Sequence, residues 1–211
     1  MSTQNRRQFL WMAVGAGGLA ALGLHRFLGR GVEAAPLPAK SGGLATAKRT
    51  SRALGADVSM LVLHSTEARA QEALDAAFGE LETVEDVMSI YRPHSQLCRL
   101  NRDGVLDDPH PYLVEVLRCG QEVSECSNGA FDVTVQPLWE VYARAQREGR
   151  LPDQAEIEQA RARVDWRKLD VSAQRLRLAD SGMAVTLNGI AQGYAADRVL
   201  AALRARGVAH A

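Results

Sequence analysis

The chain has 211 residues, with 25 Lys and Arg against 25 Asp and Glu, and 46% of it is hydrophobic. That length and composition suit one globular domain with a sizeable core, and a formal charge of zero argues against nucleic acid as a partner, because phosphate binding needs a basic surface. Eighteen glycines and seven prolines are ordinary numbers for this length and argue against wholesale disorder.

The chain opens on Asn5-Arg6-Arg7-Gln8-Phe9-Leu10, followed by an apolar Ala- and Gly-rich run from Trp11 to Leu24. That run is shorter than the ~20 residues a membrane-spanning helix needs. Val32-Glu33-Ala34 then offers small residues at the spacing a signal peptidase reads. The pattern resembles a twin-arginine (Tat) export signal, with Asn5 where Ser or Thr is usual. It predicts a signal peptide over residues 1–34, recognition by the Tat translocase and a periplasmic location. If left uncleaved, the same segment would be a short membrane anchor. Residues 35–50 contain Pro36, Pro38, Gly42 and Gly43 without apolar periodicity and predict a linker, leaving 51–211 as the domain.

Val58 to His64 reads as a strand, and Ser65 or Thr66 as the cap of the next helix. Ala70, Leu74, Ala77, Phe78, Leu81, Val84 and Met88 recur at three and four residues, which predicts a helix with a buried stripe. Asn101 to Pro111 is polar and punctuated by Gly104, Pro109 and Pro111, hence a loop. A second helix follows with Leu113, Val116, Leu117, Gly120 and Val123 on one face, ended by a left-handed cap at Asn128-Gly129. Phe131 to Val135 reads as extended, Pro137 opens a third helix to about Gln146, and Pro152-Asp153 begins a fourth. Leu169–Val171 and Arg175–Leu178 predict a hairpin, and Ala184 to Leu187 a strand. The last helix places Ala191, Ala195, Val199, Leu200 and Leu203 inward and stops at Gly207, and Val208–Ala211 resembles the start of a strand. The three cysteines, Cys98, Cys119 and Cys126, form no C-x-x-C pair, which argues against a zinc or iron–sulfur centre. Cys119 and Cys126 fall on one helix face roughly 10 Å apart, too far for a disulfide, and are expected as core or semi-buried thiols.

Three stretches carry candidate chemistry. In Met88-Ser89-Ile90-Tyr91-Arg92-Pro93-His94-Ser95, with Leu97 and Asn101 behind, a tyrosine leaves a buried helix beside hydroxyl and amide groups. It offers a ring face and hydrogen bonds to a ligand, or is simply a solvated helix end. In Gly129-Ala130-Phe131-Asp132-Val133-Thr134-Val135-Gln136-Pro137-Leu138, Asp132 and Thr134 would share one face of a strand, lining a pocket or facing solvent on an edge. In Ala184–Leu200, two glycines sit where a strand becomes a helix, so that Gly189 would let a diphosphate or a metal approach the backbone at a helix N-terminus.

In this order the three stretches resemble the ApbE family, the FAD:protein FMN transferases, whose pattern reads approximately mSxYxxxSxLxxLN, then GxFDxTxxPL, then DLGGIAKGYAxD. The matching residues are Met88, Ser89, Tyr91, Ser95, Leu97 and Leu100-Asn101; Gly129, Phe131, Asp132, Thr134 and Pro137-Leu138; and Leu187, Gly189-Ile190-Ala191, Gly193-Tyr194-Ala195 and Asp197. The resemblance runs from about residue 54 to 207. It implies an α+β, T-fold-related domain of mixed helices and antiparallel strands, with a flavin pocket between two lobes. It implies that Tyr91 packs against FAD, that Ala130, Phe131 and Asp132 line its site, that Gln192 touches it, and that backbone near Gly189 helps hold Mg²⁺. Ser95, Asn101, Thr134 and Thr186 complete the candidate flavin-binding set, and no catalytic residue is assigned. The implied reaction moves FMN from FAD onto a Thr or Ser hydroxyl of a partner protein and releases AMP, with Mg²⁺ neutralising the diphosphate.

The third stretch departs from the pattern. Thr186 stands where the family usually has Asp, Gln192 where it has Lys, and Asn188 where it has Gly. A point charge is lost and Gln can only hydrogen-bond. With the export signal, this variant resembles the NosX type, periplasmic accessory proteins of nitrous oxide reductase maturation associated with flavinylation of the membrane protein NosR. The family's A-D-x-x-x-T and D-P-x-T-G stretches, which lie further on, are not in this sequence, so the expectation is an N-terminal portion of the domain, truncated at its C-terminus. The alternatives are a non-catalytic FAD-binding accessory protein or an inactive exported fragment.

Overall fold

Small residues and a tight turn build the first hairpin. In the computed structural model, which describes residues 43–211, β1 (Ala45–Ala53) pairs antiparallel with β2 (Ala56–His64), from Ala45 opposite His64 to Ala53 opposite Ala56. Leu54 and Gly55, both at positive φ (53° and 77°), make the two-residue connection whose twist matches that of the strands. The cost of Leu54 in this region is offset by its N–H, which donates to Glu85 Oε1 at 2.7 Å. Residues 45–50, expected as linker, are therefore strand. They escape a sequence reading because β1 buries only Ala47 and Ala53 and carries no large apolar side chain. The expected signal peptide and the first part of the linker lie outside the described residues.

Thr66 caps α1 (Glu67–Met88), accepting from the Arg69 N–H, and Ala70, Ala73, Leu74, Ala77, Leu81, Val84, Val87 and Met88 form its buried stripe. Ser95, itself buried, caps the short α2 (Gln96–Asp103), which ends at Gly104 in a left-handed turn. Beyond it lies β3 (Val105–Asp107). Most of the expected 101–111 loop is thus regular structure, held by pairing to a distant strand rather than by any local periodicity. Pro111 opens α3 (Pro111–Cys126), and Leu113, Val114, Val116, Leu117, Gly120 and Ser124 are its buried residues. Val123, expected inward, is 40% exposed. Ser124 takes its place, returning its hydroxyl proton to the Gly120 carbonyl at 2.8 Å. Cys119 and Cys126 are exposed and Cys98 half-buried, so the two α3 thiols are not core residues. Asn128 and Gly129 are left-handed as expected, and the Gly129 N–H reaches the Ser124 carbonyl at 2.7 Å.

Helix α4 (Gln136–Arg147) packs on α5 (Gln154–Arg161), where Asp153 and Glu156 form a reciprocal capping box. Arg150 pairs with both Glu148 and Glu156, and its guanidinium holds the Glu156 carboxyl down to about 2, helped by the Asp153 N–H. A 3₁₀ turn (Trp166–Lys168) leads into β4 (Leu169–Val171) and β5 (Arg175–Leu178), the expected hairpin. The sheet order is β3-β5-β4, all antiparallel, with Val105 opposite Arg177 and Leu169 opposite Leu178. Helix α6 (Ala191–Ala205) closes the core against α1, burying Ala191, Ala195, Val199, Ala202 and Leu203. Leu200, expected inward, is 44% exposed, because it lies one position and ~100° past Val199 and off the stripe. At the end, Val208 is buried and the Leu63 N–H donates to the His210 carbonyl at 3.3 Å, placing the last residues beside β2. No described helix is long and apolar enough to cross a membrane.

Gly120 is where α3 meets the second of the three stretches. A Cβ there would stand 2.7 Å from Val133 Cγ1. Gly120→Ala is expected to lower the urea midpoint of unfolding, since an overpacking cost of ~1–3 kcal/mol exceeds the gain of ~1 kcal/mol from replacing glycine in a helix. An unchanged midpoint would show that Val133 yields at no cost.

Candidate functional site

The second and third stretches converge on one cleft of about 690 Å³. Its floor is Gly129, Ala130, Phe131 and Asp132, with Val135 and Leu138 beside them. One wall is the end of α5 and the segment after it, with Arg161, Val164, Asp165, Trp166 and Arg167, and the other carries Thr186 and Gly189. That volume lies within the range of small-molecule sites, which combine apolar lining with a few placed polar groups.

Asp132 organises the floor. Its Oδ1 accepts from the Thr134 N–H and the Thr134 hydroxyl, both at 2.7 Å, and its Oδ2 accepts from the Trp166 N–H at 3.1 Å. Residues 131–135 are therefore a turn and not the expected strand, and Asp132 and Thr134 do not share a strand face. An Asp side chain satisfying the backbone two residues on offers the chain an alternative to a β-ladder. Thr134 is fully buried and does not line the cleft. Asp132 does, and it also ties the Trp166 wall to the floor.

Residues 184–187 likewise form no strand. Ala184 makes a single parallel bridge to Val135, and the Thr186 N–H donates to the Val133 carbonyl at 2.8 Å. Asn101 secures the residue between them, Nδ2 donating to the Val185 carbonyl at 2.8 Å and Oδ1 accepting from the Val185 N–H at 2.7 Å. Gly189 stands against the floor, with a Cβ position 3.5 Å from Phe131 Cε2.

The first stretch supports the cleft rather than lining it. Ser95 donates to the Ser89 carbonyl at 2.6 Å and accepts from the Cys98 N–H, so its hydroxyl is spent on folding the chain. Tyr91 is 70% exposed and is not among the cleft-lining residues. Its neighbour Arg92 is anchored by Glu82, Glu85 and Asp86 of α1. Gln192 is exposed in the first turn of α6, also outside the lining. Helix α6 is held by a polar aromatic group. Tyr194 donates to Glu115 at 2.7 Å, Tyr112 donates to Glu80 at 2.8 Å, and Arg198 lies over the Tyr112 ring at 4.3 Å. Burial and the Glu115 carboxylate push the Tyr194 hydroxyl well above its ordinary value.

Sequence reasoning missed the α5–β4 wall. Trp166 lines the cleft, its indole N–H buried without a hydrogen-bond partner and Arg167 stacked on its ring at 4.7 Å. The segment reads locally as the charged end of a helix, and long-range bonds bring it to the site: the Trp166 N–H donates to Asp132, and Gln121 Nε2 donates to the Trp166 and Leu169 carbonyls. Among the described residues no group of three or more His, Cys, Asp or Glu side chains is placed to hold a metal. Of the two cleft carboxylates, Asp132 holds Thr134 and Trp166, and Asp165 accepts from the Arg167 N–H at 3.1 Å. These groups do not make a magnesium centre, and Gly189 offers it only backbone. The cleft does fit a flavin nucleotide: Phe131 and Trp166 supply ring surfaces, Arg161 supplies a cation for phosphate, and Arg167 a second one that is paired with Asp165 at 3.5 Å.

Comparison with known proteins shows the family and the fold. The model of the ApbE family matches residues 54–211. A curated relative from Klebsiella pneumoniae (strain 342), FAD:protein FMN transferase, is 28% identical over 137 residues, covering 60% of this chain and 42% of the relative. A second of that name, from Treponema pallidum (strain Nichols), is 28% identical over 149 residues, covering 65% of this chain and 41% of the relative. The chain thus spans about two fifths of the length of these relatives. Among solved structures, the apo form of the Pseudomonas stutzeri flavinyl transferase ApbE superposes with a TM-score of 0.70 at 27% identity, over 79% of this chain and 57% of that one. The Vibrio cholerae flavin transferase ApbE gives 0.70 at 23%, over 78% and 55%, a likeness of fold.

Proposed function

This chain belongs to the ApbE family, and from that premise we propose that it takes part in transferring FMN from FAD to a Thr or Ser hydroxyl of a partner protein, with FAD seated in the cleft between Phe131, Trp166 and Gly189. The observation that carries this reading is the cleft itself, built from the second and third sequence stretches and the α5–β4 wall, with two arginines in its lining. In the reaction the acceptor hydroxyl oxygen attacks the FMN phosphorus of FAD. A new P–O bond forms, the bond to the AMP phosphate breaks, AMP leaves, and the hydroxyl proton passes to solvent or to the leaving phosphate. Phe131 and Trp166 hold ring surfaces, while Arg161 and Arg167 offset the charge of the diphosphate, since such transfer depends mainly on positioning and electrostatic stabilisation. Magnesium, implied by the resemblance, belongs to this proposal as a companion of the diphosphate that keeps several waters; no step is drawn through it. The acceptor proposed is a NosR-like flavoprotein of the membrane or periplasm, reached after Tat export, in the NosX-like setting of nitrous oxide reductase maturation.

Thr186 and Gln192 favour a second reading, binding of FAD without transfer, because neither supplies the charge usual at its position. One incubation separates the two: the chain with FAD, Mg²⁺ and a Thr-containing acceptor peptide, read by peptide mass and AMP release. An acceptor heavier by one FMN with matching AMP supports transfer. Bound FAD with an unmodified acceptor supports the second reading, and no bound FAD overturns both.

A further inference from the structure

We propose that Asn101 is a positioning residue of the cleft, acting through the Val185 backbone rather than by touching a ligand; what it positions rests on the flavin reading above. A side-chain amide carries one donor and one acceptor side by side, as a peptide group does. Here it exchanges both bonds with a single residue 84 positions away, the arrangement a neighbouring antiparallel strand would provide. Residues 184–187 need such a substitute. They lie in no sheet, their ladder contacts being one bridge at Ala184 and one bond from Thr186, and the Val185 side chain is fully buried. Asn101 therefore sets the register that turns Thr186 into the cleft and sets Gly189 against Phe131. Its own place is fixed in turn by the Ser95 cap of α2. The first sequence stretch thus acts on the site through the third.

The test uses the purified chain, its Asn101→Ala and Asn101→Asp variants, and FAD as the probe. Asn101→Ala leaves the Val185 N–H and carbonyl unpaired. It is expected to weaken FAD binding about tenfold, the equivalent of one to two net hydrogen bonds, and to move the Thr186 and Gly189 amide resonances while those of α1 stay in place. Asn101→Asp keeps the acceptor for the Val185 N–H but sets a carboxylate against the Val185 carbonyl. At neutral pH it should bind like Asn101→Ala, and on acidification it should recover relative to wild type, because a protonated carboxyl donates to that carbonyl again. A purely space-filling role would give no such recovery. Wild-type FAD affinity in Asn101→Ala, unmoved Thr186 and Gly189 resonances, or an Asn101→Asp profile parallel to wild type overturns the proposal. A wild-type chain that binds no FAD overturns the flavin reading instead, and the amide resonances still decide the role of Asn101.

Discussion

Asp132→Ala is expected to abolish FAD binding and to lower the free energy of unfolding by about 3 kcal/mol, the scale of losing several hydrogen bonds to one charged acceptor. The carboxylate accepts from the Thr134 N–H, the Thr134 hydroxyl and the Trp166 N–H. Thr134 is fully buried, so its two donors have no water to turn to once the carboxylate is gone. The bond to Trp166 spans 34 positions and ties the α5–β4 wall to the floor, so its loss leaves that wall held by Gln121, whose Nε2 donates to the Trp166 and Leu169 carbonyls. Asp132→Asn separates the two effects. Its remaining oxygen still serves Thr134, while its NH₂ faces the Trp166 N–H, donor against donor. Urea unfolding should place it between wild type and Asp132→Ala, with FAD affinity nearer the alanine variant. A wild-type urea midpoint for Asp132→Ala would show that water replaces the carboxylate at no cost.

The parts of the fold legible in the sequence are those whose stability is local. The stripe from Ala70 to Met88, the Asp153 cap and the Leu169–Leu178 hairpin each announce themselves by period or turn chemistry, and each is present. The illegible parts depend on a distant partner. Strand β1 is too poor in apolar side chains to show a period and exists by pairing with β2, and β3 is three residues long and exists by pairing with β5. Asp132 and Thr134 alternate like a strand in sequence, yet the Asp side chain competes successfully for the backbone and makes a turn. The site divides in the same way. Its motif residues are visible by type and spacing, but Trp166, Arg161 and Arg167 carry no local mark of the cleft they line.

Type and spacing also do not tell lining from scaffolding. Among the candidate flavin residues, Ala130, Phe131, Asp132 and Thr186 line the cleft together with Gly189. Ser95, Asn101 and Thr134 spend their polar atoms on the chain itself. Tyr91 and Gln192 are exposed beyond the lining. A motif records which residues the site depends on, and dependence passes through a backbone hydrogen bond as readily as through contact with a ligand.

Gly189 is the position where the cleft can be closed without touching the core. Its φ is not in the left-handed region, so conformational freedom is not what calls for glycine; space is. A Cβ would meet Phe131 Cε2 at 3.5 Å, an ordinary van der Waals contact. Gly189→Ala is therefore expected to fold and bind FAD nearly as wild type. Gly189→Leu adds three further carbons beside Phe131 in the cleft lining, where they compete with whatever lies over that ring. Filling a ring site in this way should raise the FAD Kd on the order of a hundredfold, since overpacking costs up to ~3 kcal/mol. The thermal midpoint should barely move, because the residue is exposed and packs against no other described side chain. Gly193→Ala is the control. It lies in the first turn of α6 with open space around its Cβ position, and alanine there should stabilise the helix by ~1 kcal/mol with FAD binding intact. Equilibrium titration of flavin fluorescence against all three variants decides the matter. If Gly189→Leu binds FAD as tightly as wild type, the flavin does not lie between Phe131 and Gly189.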